Sequence, residues 1–312
     1  MAGGLVCYGN LVMDTLVRPV DRIVWNASTW VETLDQRLGG NGASTSYAAA
    51  LSGAAVRLVS VAGRDAFGDK LLAELSAAGV DVECVARVDG PTPATVVLVN
   101  SAGERLFLHR PGAGAAAFEF PEPDAALLGG RSRFHLANLF ALPGLRQRAA
   151  DFLRMARQAG LATSIDTGWD SRERWMEDLV PCLPWTDLLF VNRDEAARLA
   201  GTSEIAGAAR RLREAGAARV VVKLGNEGCA IFDGAAEFRV PAFEVDAVDT
   251  TGAGDCFAGA FLASLERGQL LADAARFANA AAALAVQHLG ATAGLRPRDE
   301  TESWMRTATQ RK

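Results

Sequence analysis

Residues 249–261 read Asp-Thr-Thr-Gly-Ala-Gly-Asp-Cys-Phe-Ala-Gly-Ala-Phe, which sets one carboxylate, Asp255, in a turn otherwise built of residues with little or no side chain. The run Phe238 to Val248 reads as extended, and Ala253 to Leu265 reads as a helix with Ala253, Phe257, Ala260, Phe261 and Ser264 at helical spacing. Backbone N–H groups at a helix start have no partner inside the helix, and the aligned peptide dipoles add roughly half a positive charge there. Gly252 and Gly254 carry no side chain to hold an anion away from those groups, so the turn suits a phosphate. An acid in that place has two readings. It is either a first-turn acid that favours the helix start, or a general base that takes a hydroxyl proton while the adjacent amides hold a phosphoryl group.

The longer motif is more specific than its core. Asp249 to Asp255, followed after three residues by Gly259-Ala260-Phe261-Leu262, resembles the C-terminal signature of the ribokinase-like sugar kinases, the PfkB family. Leu38-Gly39-Gly40-Asn41-Gly42-Ala43-Ser44, with the Ala-rich Tyr47 to Leu51 and Gly53, is similar to that family's N-terminal Gly-Gly signature. Ser44 stands where the family usually has Asn, which puts one sugar-hydroxyl contact in question and leaves the reaction untouched.

The resemblance implies an α/β fold: a three-layer αβα domain with a mainly parallel central sheet and a small β-sheet lid. It implies ATP-dependent phosphorylation of a sugar hydroxyl, most often a primary one, with Asp255 as base and the backbone of Gly252, Ala253 and Gly254 as anion hole. The sugar would be met by Asp14, Gly39, Gly40, Asn41 and Ser44 beside Asp255. Lys223 and Gly225, with Gly228 closing the next turn, match the nucleotide's phosphate and ribose edge, and Asn279 matches a position beside the adenine; Asn192, Thr251, Gly252 and Gly254 complete that set. Asn192-Arg193-Asp194-Glu195 is similar to the family's magnesium and phosphate motif, in which Glu195 would act on Mg2+ through water. Taken locally, the same four residues read as a helix N-cap by Asn192 with Glu195 as its capping-box partner. Asp249 and Thr251 match positions that, in some members, wrap a monovalent cation such as K+ through backbone oxygens. Leu108 to Gly114 looks like the lid-return segment, with Gly114 where Asn is common; His109 and Arg110 read equally as site residues or as solvated surface groups.

Other classes fit less well. The dinucleotide fingerprint G-x-G-x-x-G fails because Phe257 stands at its third glycine, and no Walker A loop is present. A non-catalytic sugar or nucleotide sensor on the same fold would be expected to lose the base, and Asp255 is retained. A nucleoside kinase stays open, because Trp25 and Trp30 in the lid segment could stack on a base; the plainer reading is that they pack the lid or a homodimer contact through it.

With 312 residues, 50% hydrophobic, the chain can bury one large core or two modest ones. A net charge of −5 with both signs interspersed gives no reason to expect nucleic acid or an anionic membrane as partner, and small polar ligands suit it better. Cys7, Cys84, Cys182, Cys229 and Cys256 lack metal-ligand spacing and read as small core residues of a cytoplasmic protein. No signal peptide is evident at residues 1–10, and the apolar stretch Phe277 to Val286 is too short to cross a bilayer.

These groups must be positioned by alternating elements. Short apolar runs at Leu5–Tyr8, Val56–Ala62, Phe134–Leu136, Ala162–Asp166, Leu188–Val191, Arg219–Lys223 and Cys229–Phe232 predict strands. Helices are predicted at Ser44–Ser52, Gly68–Ala78, Gly144–Gln158, Asp194–Ala200, Ile205–Glu214, Ala253–Glu266 and Leu271–Leu289. That alternation is the pattern of a sheet covered on both faces. Two stretches escape it, and 94–109 reads as a hairpin around Ser101-Ala102-Gly103. The resulting division assigns 1–14, 38–93 and 110–312 to the core, and 15–37 and 94–109 to the lid.

Overall fold

Leu5, Val6, Cys7 and Tyr8 are each fully buried, and their side chains alternate between two apolar clusters on opposite faces of one sheet. That is what a continuous apolar strand requires when helices cover both sides. The computed structural model describes residues 3–112 and 119–311; Gly114 of the expected lid-return segment lies outside the described residues.

In chain order come β1 (Leu5–Tyr8), β2 (Val12–Arg18), β3 (Thr33–Gly39), α1 (Asn41–Leu51), β4 (Val56–Gly63) and α2 (Ala66–Ala77). Next are β5 (Val80–Asp81), β6 (Val85–Val88), β7 (Ala94–Val99), β8 (Arg105–Arg110), α3 (Ala125–Leu128), β9 (Arg133–Ala137) and α4 (Pro143–Gln158). They are followed by β10 (Ala162–Asp166), α5 (Met176–Leu179), β11 (Leu188–Asn192), α6 (Arg193–Ala200), α7 (Ile205–Glu214) and β12 (Arg219–Lys223). The chain finishes with β13 (Cys229–Asp233), β14 (Ala236–Val240), α8 (Ala253–Glu266), α9 (Leu271–Ala285) and α10 (Arg298–Met305).

The described residues form a ten-stranded sheet in the order β14-β13-β12-β11-β10-β9-β1-β4-β5, with β6 also on β4. From β12 through β9 and β1 to β4 every pairing is parallel, while β13 and β14 add an antiparallel edge. One apolar face packs on α4, α6 and α7 through Phe152, Leu199 and Leu212; the other packs on α1, α2, α8 and α9 through Ala49, Leu71, Phe261 and Phe277. Each of the leucines and phenylalanines among these contributes roughly 1.5–3 kcal/mol by leaving water. The α1–α8 contact is close enough that a Cβ on Gly259 would fall 2.3 Å from the Thr45 carbonyl, as the small residues of both helices allow.

A second sheet, ordered β3-β2-β7-β8, stands apart from the first. Its register places Asp14 opposite Thr95, and Thr95 opposite His109, in one cross-strand row. Strands β2 and β3 run beyond the expected 15–37 segment at both ends, because the Gly39 end of β3 pairs with Val12.

Two expectations are corrected. The run 238–248 is strand only to Val240, since Pro241 has no N–H to continue the ladder, and a loop rather than a strand leads into α8. Helix α9 stops at Ala285, short of Leu289, and the Val286 carbonyl accepts the loop amides of Val248 (2.7 Å) and Asp249 (3.0 Å). None of the described helices is long and apolar enough to cross a membrane.

Candidate active site

In open α/β sheets ligands bind beyond the carboxyl ends of the strands, where the strand order reverses. Here the reversal lies between β1 and β9, which share a parallel pairing while β4 takes the other edge of β1. Strand ends near it deliver a row of polar groups: Asn10 after β1, Asn138 after β9, Asp166 ending β10, Asn192 ending β11 and Lys223 ending β12. Helix α8 brings Asp255 to this row.

The Asn41 amide donates to both Asp255 oxygens, at 2.9 and 3.2 Å, and its own oxygen accepts from Asn138 Nδ2 at 2.8 Å. The Asn41 backbone N–H donates to Asn10 Oδ1 at 2.8 Å, which starts α1 three residues before the predicted Ser44. Asp255 makes no side-chain cap to its helix. Its carboxylate is thus committed to the site and not to the helix end. Burial pushes its carboxyl up to about 7, with Asp166 adding repulsion, while Asn41 and Lys223 pull the other way.

The turn has the geometry an anion needs. Gly252 is left-handed at φ 69°, and a Cβ there would lie 2.4 Å from that of Ala291. The first intrahelical bond comes from Cys256 N to Gly252 O, so the N–H groups of Gly254 and Asp255 precede the ladder. The Ala253 N–H is partly engaged, at 3.3 Å from the Thr250 carbonyl.

Two cavities meet at this turn. The larger, about 450 Å3, is lined by Asn192, Lys223, Gly225, Gly228, Ala253, Gly254 and Asn279, with an apolar wall that includes Phe243, Ala282 and Val286. The smaller, about 230 Å3, is lined by Asp14, Gly40, Asn41, Ser44, Thr95, His109, Thr251, Gly252 and Asp255. Gly39 does not line it, but leaves the space that the Asp14 carboxylate fills. Burial pushes the Asp14 carboxyl up to about 7 as well, with a hydrogen bond from Thr95 opposing. Among the described residues the buried Ser44 hydroxyl has no hydrogen-bond partner. His109 Nδ1 lies 3.0 Å from Thr95 Oγ1, and Arg110 donates to the Thr92 carbonyl at 3.0 Å.

Lys223 Nζ pairs with Asp166 at 2.5 Å. Burial opposes its charge, yet Asp166, Glu195 and Asp255 together hold it above the ordinary lysine range. Asn192 and Glu195 form the capping box anticipated as the local reading. Glu195 Oε2 also accepts from the Thr167 hydroxyl at 3.1 Å, and burial pushes its carboxyl up. Asn279 spends its amide donors on the carbonyls of Val240 (3.0 Å) and Pro241 (3.2 Å), and the residue lines the cavity wall. Asp249 and Thr251 face Arg105 of β8. Trp25 and Trp30 are 88% and 93% exposed and line neither cavity, so they do not pack the small sheet within this chain.

Sequence reading missed Asn10, Asn138, Asp166, Thr95 and Arg105. Asp166 had a usable signal, an acid closing a predicted parallel strand. The others acquire their place only from which strands become neighbours.

Fold and site together define a small-molecule phosphotransferase of the sugar-kinase class, and comparison with known proteins bears this out. The family model described as pfkB family carbohydrate kinase matches residues 3–298. The chain is 33% identical over 290 residues to the ATP-dependent ribose-1-phosphate kinase of Halopiger xanaduensis, covering 91% of this chain and 92% of that protein. It is 30% identical over 284 residues to the aminoimidazole riboside kinase of Salmonella typhimurium, covering 86% and 87%. Its fold matches the ribokinase of Arabidopsis thaliana, solved with ribose and ATP, at a TM-score of 0.86 and 27% identity over 98% of this chain and 99% of that one. The chain belongs to the PfkB family of carbohydrate kinases.

Proposed function

We propose that the protein transfers the γ-phosphate of ATP to a hydroxyl, a primary one, of a small carbohydrate. The observation that carries this reading is the position of Asp255 and Gly254 on one helix turn, with the smaller cavity against the first and the larger against the second. A sugar in the smaller cavity would meet Asp14, Asn41 and Ser44, with its hydroxyl at Asp255. ATP in the larger cavity would set its adenine on the apolar wall and its phosphates toward Lys223 and the α8 start. The Asp255 carboxylate takes the hydroxyl proton as the new O–P bond forms and the bond from the γ-phosphorus to the bridging oxygen breaks, releasing ADP. The amides at the Gly252–Gly254 turn hold the charge that develops on the transferred group.

The residues present fit Mg2+. Lys223 is within electrostatic range of three carboxylates, Asp166, Glu195 and Asp255, an excess of negative charge that a cation accompanying the phosphates would offset. The described residues contain no cluster that would cage a metal alone, in keeping with an ion held largely by phosphates and water. Glu195, through water, and Asp166 would hold it, and it would neutralise phosphate charge.

The small sheet, expected over 15–37 and 94–109 and built of strands that reach from 12 to 39 and from 94 to 110, acts in this reading as a lid over the sugar, with the remainder as core. Its exposed Trp25, Trp30, Leu34 and Leu108 suit burial against a second copy of the chain. A cytoplasmic setting suits the five free thiols. A nucleoside acceptor is the second reading, favoured by an adjoining cavity of about 210 Å3 lined by Leu11, Ala141, Leu142, His109 and Arg110, where a base could lie.

The test is ADP release with ATP and Mg2+ across pentoses, hexoses, sugar acids and nucleosides, for the wild type and Asp255→Asn. Turnover with at least one acceptor, reduced by about 10² to 10⁴ in the variant with ATP affinity retained, is expected. Absence of release with every acceptor would favour a sensor, and full turnover in the variant would remove Asp255 as base.

A further inference from the structure

Pro241 ends the β14 ladder, so residues 242–244 leave the large sheet and must find backbone partners elsewhere. The segment beyond residue 298, where the match to the family ends, supplies them. Phe243 and Gln310 form an antiparallel bridge: the Glu244 N–H donates to the Thr309 carbonyl at 2.9 Å, and the Arg311 N–H donates to the Ala242 carbonyl at 2.8 Å. Gln310 Nε2 donates to the Pro241 carbonyl at 3.2 Å, the same oxygen that Asn279 of α9 engages. Trp304 of α10 lies against the Phe243 ring, with centroids 5.1 Å apart. Arg276 of α9 sits over that ring at 5.7 Å, and its Nε donates to Gln310 Oε1 at 3.2 Å.

Phe243 is 2% exposed and belongs to the apolar wall of the larger cavity, and Ala242, Val245 and Arg311 line that cavity with it. Among the described residues nothing hydrogen-bonds or ion-pairs the Arg311 guanidinium, which leaves its N–H groups and its planar face to a ligand. A donor-only cation beside an apolar slot suits the electron-rich face of an aromatic ring. We infer that residues 308–311 are a base-recognition element of the nucleotide site: their backbone and Gln310 hold the Phe243 wall, and Arg311 meets the face of the base. This role rests on ATP occupying the larger cavity.

The test is calorimetric titration of the wild type, Arg311→Gln, Arg311→Lys and a chain ending at Thr307. Each is titrated in Mg2+ with ADP and, separately, with inorganic tripolyphosphate, which offers phosphates and no base. ADP should bind Arg311→Gln about 2- to 30-fold more weakly than wild type, the shortened chain at least as weakly, and Arg311→Lys at an intermediate affinity, while tripolyphosphate binds all four alike. ADP affinity retained in Arg311→Gln or in the shortened chain would overturn the inference, as would equal losses for the two ligands. Should the shortened chain not fold, Arg311→Gln and Arg311→Lys decide alone. A wild type that binds neither ligand would remove the nucleotide reading itself, an outcome distinct from ADP binding that ignores residues 308–311.

Discussion

Asn41 and Asp255, 214 residues apart in the chain, are joined by two hydrogen bonds from one amide to one carboxylate. The bonds favour the ionised form of an acid that burial pushes toward neutrality. Asn138, which holds the Asn41 oxygen, fixes which end of the amide faces Asp255.

Removal of that support should move the base. In Asn41→Ala the acid limb of kcat/KM for the acceptor, which reports the enzyme before the acceptor binds, should shift from near 7 to higher pH. A pH profile at saturating ATP checks this, and a limb that stays in place would show that Asn41 does not tune Asp255.

Stability should carry the same signature with the opposite sense to a salt-bridged acid. A carboxyl raised from 3.8 to about 7 binds more protons in the native state than in the unfolded one between those values, so its contribution falls as pH rises through that window. Asp255→Asn cannot ionise. Its Tm relative to wild type should therefore be higher at pH 8 than at pH 5, by on the order of a few degrees. Melting curves at the two pH values decide it, and equal differences would argue that Asp255 is not raised.

The Lys223–Asp166 pair should behave as a unit. Lys223→Met leaves Asp166 without its ammonium and should cost about 3–5 kcal/mol, as breaking a buried pair does. Asp166→Asn in the same chain should recover much of that loss. Urea unfolding of both single variants and the double variant gives the coupling, and simple additivity would count against the pair.

Gly252→Ala should harm fold and site together. The left-handed backbone costs a residue with a Cβ about 1–2 kcal/mol, and that Cβ would meet Ala291 at 2.4 Å. Gly252→Ala with Ala291→Gly relieves the contact and keeps the backbone cost, so Tm should recover in part while kcat stays reduced. Full recovery of both would show that the backbone at Gly252 is not what shapes the phosphate site.

Much of the scaffold is legible without coordinates. Strands β1, β10 and β12 and helices α7 and α8 have the predicted limits, because each is a short apolar run or a strongly periodic segment whose burial depends only on its own pattern. Local signals fail where a distant group sets the boundary. Helix α1 starts at Asn41 because Asn10 accepts its N–H, and Gly40 before it has no side chain to announce a cap.

The amino-acid sequence by itself determined the chemistry available: a glycine-framed helix start, an acid within it, and alternating elements that build a sheet covered on both faces. The tertiary structure decided whom those groups meet. Asp255 is held by Asn41, Lys223 by Asp166, and Asp249 by Arg105 from the second sheet, because strand order and the seating of one sheet over the other bring these residues together. Those pairings depend on long-range closure of the chain, which no local period encodes, and they set which partner each group faces in the site.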